Sequence, residues 1–84
     1  MSRILIVDDE LPMRIALSDL LAHEGHRVVL AHDGASGLKR AVEEKPDLVL
    51  LDVMMPGLDG FAVAAELRRL GYSMPILMLT AKGQ

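Results

Sequence analysis

The chain has no cysteine, which excludes a disulfide framework, a thiolate nucleophile and cysteine metal ligands. It has no tryptophan, one phenylalanine and one tyrosine, so it offers no stacking platform for nucleic-acid bases. Cations are in the minority: nine Lys and Arg stand against twelve Asp and Glu, for a formal net charge of −3. A segment of that sign does not grip a phosphate backbone unaided. Long apolar runs are missing as well. The first one, Ile4-Leu5-Ile6-Val7, is too short for a signal-peptide core, and nothing approaches a membrane span. Ser2 and the terminal Lys82-Gly83-Gln84 carry no lipidation signal. These absences lead to the expectation of a cytoplasmic protein that binds neither nucleic acid directly nor membrane.

What is present suits one small globular domain: 84 residues, 51% hydrophobic and 25% charged. The organising stretch is Leu48-Val49-Leu50-Leu51-Asp52-Val53-Met54-Met55-Pro56-Gly57-Leu58-Asp59-Gly60. Four apolar residues after Pro46 read as a strand buried on both faces, and the run stops in an aspartate. A loop rich in Pro, Gly and Asp follows. Open α/β sheets bind their ligands at the carboxyl ends of parallel strands, and Asp52 stands at such an end.

The other segments fall into a βα rhythm. Ile4-Leu5-Ile6-Val7 predicts a buried strand running into Asp8-Asp9-Glu10. Pro12 fits the first turn of a helix carrying Leu11, Ile15, Leu17, Leu20 and Leu21, with Gly25 as its stop and Arg14 on its wetter side. Val28-Val29-Leu30-Ala31 is a second strand, and Asp33 caps a helix through Leu38, Ala41 and Val42. Phe61, Ala64, Ala65, Leu67 and Leu70 suit a third helix ending at Gly71, and Met74 through Thr80 a fourth strand. Asp59-Gly60 reads as turn and helix-start chemistry, and the six methionines as core and loop filler, with Met55 on a loop open to a partner. The order β-α-β-α-β-α-β implies a doubly wound parallel sheet with right-handed crossovers and helices on both faces.

Three strand ends carry polar groups: Asp8 and Asp9, Asp52, and Thr80. If the first and third strands are neighbours, three carboxylates converge and repel unless a cation sits among them. Mg²⁺ suits such an oxygen site, with Asp9 and Asp52 as direct ligands, Asp8 through water, and the backbone carbonyl of Met54 as a further oxygen. A carboxylate so placed can attack phosphorus and become an aspartyl phosphate, with the Thr80 hydroxyl on a phosphoryl oxygen. The blander readings are an acid pair capping the first helix, Asp52 as a turn-starting residue, and Thr80 as an ordinary strand end. His23, His26 and His32 lack the spacing of a metal site.

The motifs Ile4-Leu5-Ile6-Val7-Asp8-Asp9-Glu10, Leu50 through Gly60, and Pro75-Ile76-Leu77-Met78-Leu79-Thr80-Ala81 together resemble the receiver domain of two-component response regulators. The resemblance implies a flavodoxin-like fold with strand order 2-1-3-4-5. It implies Mg²⁺-dependent transfer of a phosphoryl group from a sensor histidine kinase to Asp52, and slow self-catalysed dephosphorylation. It makes Asp8 and Asp9 the acid pocket and Thr80 the switch hydroxyl, with Met54 and Lys82 tuning access of water. The spacing from Asp52 to Thr80 is similar to the subfamily that carries winged-helix transcriptional effectors.

Against that pattern, residues 1–84 match the N-terminal portion of a receiver and lack its last helix-strand-helix. The lysine that ends the family's fifth strand is not replaced by Lys39 or Lys45, which stand at the wrong place, and Lys82 is only a weak candidate for it. The expectation is apolar surface partly uncovered at Ile4, Ile6, Ile76 and Met78 and a bare edge at strand four, so that the chain self-associates, borrows a partner's element, or was cut from a longer protein. The rival reading is a structural, self-associating fragment that accepts no phosphate. An enzymatic and a nucleotide-binding alternative fit less well. Aspartyl phosphatases place a second Asp two residues after the nucleophile, where this chain has Met54, and a nucleotide fold needs glycines where Asp8-Asp9-Glu10 stand.

Overall fold

The computed structural model describes residues 2–79. Four strands, β1 (Arg3–Val7), β2 (Arg27–Ala31), β3 (Leu48–Asp52) and β4 (Ile76–Leu79), alternate with α1 (Leu11–His23), α2 (Gly34–Glu44) and α3 (Gly60–Arg69). All strand pairs are parallel, in the order β2-β1-β3-β4. The doubly wound α/β sheet expected from the alternation is therefore present.

Each strand divides its residues between two faces because successive side chains point opposite ways. Leu5, Val7, Val49 and Leu51 pack with Ala41, Val63 and Leu67 under α2 and α3, while Ile4, Ile6 and Leu50 pack with Leu17 and Leu21 of α1. Asp8 and Asp52 come two residues after Ile6 and Leu50. Both carboxylates thus leave the sheet on the α1 side, one step past the Val7–Leu51 register pair.

Helix α2 is started by a full capping box. Asp33 Oδ1 accepts the Ser36 amide at 2.7 Å, and the Ser36 hydroxyl accepts the Asp33 amide at 3.3 Å. Gly37 lets this helix lie close on β1, since a β-carbon there would stand 2.7 Å from Val7 Cγ1.

Several packing expectations need correction. In α1 only Leu17 and Leu21 reach the sheet; Leu11, Ile15 and Leu20 are exposed. At about 100° per residue, Ile15 lies nearly opposite Leu17, so these leucines and isoleucine cannot share one stripe. In α3 the buried stripe is Val63 and Leu67, with Ala64 packed beside them. Phe61, Ala65 and Leu70 face water. Met55 is buried in the α2–α3 core rather than presented on an open loop. The strand-four facing is inverted as well. Ile76 and Met78 pair with Val49 and Leu51 and join the α2–α3 core, while Leu77 pairs with Leu50 and is 55% exposed. Ile4 and Ile6 are buried, so the uncovered surface is at Leu77 and on α1.

Candidate functional site

Adjacent parallel strands in register bring their carboxyl ends to one rim, and here that rim is acidic. Carboxylate oxygens of Asp8, Asp9 and Asp52 all lie within 4.8 Å of one another. Asp8 and Asp52 are buried, whereas Asp9 faces solvent.

The local backbone holds each buried acid in place. Asp8 Oδ1 accepts the Glu10 amide at 2.9 Å, folding the chain over before α1 begins. Asp52 Oδ1 accepts the Met54 amide at 3.1 Å in the same kind of turn. The Asp8 amide donates to the Ala31 carbonyl at 3.2 Å and the Val53 amide to the Leu79 carbonyl at 3.1 Å, which continue the sheet ladders just past the strand ends.

Arg14, expected on the wet side of α1, is half-buried, and its Nη1 donates to the Asp8 carbonyl at 2.7 Å. It ties the helix to the acid-bearing turn. Sequence spacing did not single it out, because the long reach of an arginine leaves no periodic signal.

The electrostatics follow from burial and like charge. Burial pushes the Asp52 carboxyl above the ordinary carboxylate range; the donated Met54 amide pulls it down, and the charges of Asp8 and Asp9 push it up again. Ion pairs among the described residues join His32 to Asp33, Arg40 to Glu44 and Arg69 to Glu66. None of them reaches the three clustered acids.

Three carboxylates, two of them buried and none in an ion pair among the described residues, form an all-oxygen donor set. That set fits a hard divalent cation such as Mg²⁺. The Met54 side chain is 65% exposed beside this rim, and its amide is the group engaged with Asp52. Thr80 and Lys82 lie outside the described residues.

The family model described as "Response regulator receiver domain" matches residues 4–84. The response regulator MprA of Mycobacterium ulcerans is 48% identical over 80 residues, covering 95% of this chain and 34% of that protein. The chain thus spans about a third of the length of the curated relatives it matches. Among solved structures, the N-terminal domain of a response regulator receiver protein from Methanoculleus marisnigri JR1 superposes with a TM-score of 0.93 at 34% identity. It covers 100% of this chain and 70% of that one. The response regulator protein TrrA from Thermotoga maritima, solved in complex with Mg²⁺-BeF, gives a TM-score of 0.92 at 41% identity, covering 99% and 72%.

Proposed function

Because the chain belongs to the response regulator receiver-domain family, we propose that Asp52 accepts a phosphoryl group from the phosphohistidine of a sensor histidine kinase. The observation that carries this reading is the convergence of Asp8, Asp9 and Asp52 within 4.8 Å, with no ion pair among the described residues reaching their carboxylates.

An Asp52 carboxylate oxygen attacks phosphorus as the phosphorus–nitrogen bond of the donor breaks. The electron pair returns to the imidazole nitrogen, which takes up a proton, and Asp52 keeps the phosphoryl group as an acyl phosphate. The Met54 amide, bonded to Asp52 Oδ1, orients the carboxylate and leaves Oδ2 without a hydrogen-bond donor among the described residues. Asp9 and Asp52 would hold Mg²⁺ directly, with Asp8 acting through water and the Met54 carbonyl as a further oxygen. When bound, the ion supplies the positive charge that lets an anionic phosphoryl group approach three carboxylates. Thr80 is proposed as the switch hydroxyl. The support for these roles is the acid geometry, the family, and a Mg²⁺-BeF complex of the Thermotoga relative.

The output belongs to an effector, transcriptional by resemblance, and the reading includes a cytoplasmic location. No described helix is long and apolar enough to cross a membrane.

A second reading, self-association with another copy of the chain, is favoured by the exposure of Leu77 on β4 and of Leu11, Ile15 and Leu20 on α1. Incubation with acetyl phosphate and Mg²⁺, followed by intact mass measurement, separates the two. One phosphoryl adduct, lost in Asp52→Asn, is the expected result; an unmodified chain under those conditions leaves only the scaffold reading.

A further inference from the structure

The opposite rim of the sheet carries a second charged feature, about 16 Å from the acids at ~3.3 Å per strand residue. Ser2, Arg3, Arg27, Lys45 and Asp47 line an open cleft of about 250 Å³ where β1, β2 and β3 begin. Three cationic side chains face one carboxylate there, in a chain whose overall charge is −3.

Arg3 and Arg27 are direct register partners on adjacent strands, an arrangement in which like charges repel. No ion pair among the described residues reaches Arg3, Arg27 or Lys45. The single acid is already engaged: Asp47 Oδ2 accepts the Arg3 amide at 2.8 Å. Arg3 Nε is buried without a hydrogen-bond partner among the described residues, a costly state for a charged donor.

Capping of α2 accounts for only part of this. Arg3 Nη1 donates to the Glu44 carbonyl at 2.8 Å, and Lys45 is the left-handed C-cap with φ of 47°. That role leaves the Arg27 side chain without an ion-pair partner among the described residues.

We infer that this cleft binds a small phosphate-class oxyanion between the side chains of Arg27 and Lys45, beside Arg3. Such a ligand would relieve the Arg3–Arg27 repulsion. Guanidinium and ammonium donors are well matched to its oxygens. The site is independent of the acid cluster and needs no Mg²⁺.

The test is an NMR titration of the isotope-labelled chain with pyrophosphate, in magnesium-free buffer at constant ionic strength. The expected result is saturable shifts centred on the Arg27, Lys45 and Asp47 amides. The double variant Arg27→Gln/Lys45→Gln should bind at least ~tenfold more weakly, as loss of a charge-assisted hydrogen bond requires. A control, Lys39→Gln/Arg68→Gln, removes the same charge from exposed helix positions and should keep the affinity. Parallel titrations with inorganic phosphate and glycerol phosphate assign the site to a free ion or an ester by which binds tighter. Non-saturating shifts, unchanged affinity in the cleft variant, or an equal loss in the control overturn the inference.

Discussion

Gly60 is held against Asp52 so closely that a β-carbon on it would stand 2.3 Å from the Asp52 carbonyl oxygen. The Gly60 amide also donates to the Val53 carbonyl at 3.1 Å, so the first residue of α3 is locked to the end of β3. Obstruction by backbone is not relieved by a rotamer change. Gly60→Ala should therefore displace α3 and cost about 1–3 kcal/mol, the usual range for overpacking. Urea denaturation measures this, and the same variant should lose phosphoryl acceptance at Asp52.

Asp52 predicts a pH dependence of stability. Its folded-state affinity for a proton is raised above the ordinary carboxylate value of 3.8, first by burial and then by Asp8 and Asp9. The folded chain holds that proton more tightly than the unfolded chain, so stability falls as pH rises through the window above 3.8. Asp52→Asn removes the charge and keeps an oxygen for the Met54 amide. Without Mg²⁺ it should melt above the wild type at pH 7, and the gap should close as pH falls below the ordinary carboxylate range. A gap that is constant with pH would assign the effect to packing.

Helix α2 provides a control remote from the acids. Asp33→Ala removes the carboxylate that accepts the Ser36 amide at 2.7 Å and should cost ~1 kcal/mol, as loss of an N-cap does. Its Mg²⁺ affinity should be that of the wild type. A matched loss of both would mean that the acid rim depends on α2.

Exposed Leu77 and Leu20 test the self-association reading. If copies meet through these residues, Leu20→Gln/Leu77→Thr should weaken association at least ~tenfold in sedimentation equilibrium, given ~1.5–3 kcal/mol for burial of a large aliphatic side chain. A wild-type chain that sediments as a monomer at every concentration contradicts that reading.

The strands and the meeting of Asp8 with Asp52 were legible because β1 and β3 are continuous apolar runs that end abruptly in acids. Facing was harder to read. In β4 all four residues, Ile76-Leu77-Met78-Leu79, are apolar, so alternation cannot say which pair turns toward α2 and α3. The register with Val49 and Leu51 decides it. In α1, apolar residues occur around most of the helix, and only contact with Ile4, Ile6 and Leu50 picks out Leu17 and Leu21. Gly60 looked like turn chemistry because a missing side chain gives no sign of what lies 2.3 Å away. Arg14 looked solvated because its target is a backbone carbonyl, which no residue pattern marks.

On the proposed function, the rim of Asp8, Asp9 and Asp52 is a divalent-cation site serving the third-strand acid. Calorimetric titration of Mg²⁺ into the wild type and into Asp9→Asn addresses it most directly, because Asp9 is exposed and its replacement leaves the core intact. The expected result is saturable binding of one ion to the wild type and a loss of at least ~tenfold in affinity on removing one ligand charge. Absence of saturable binding, or equal affinity in the two proteins, would contradict it.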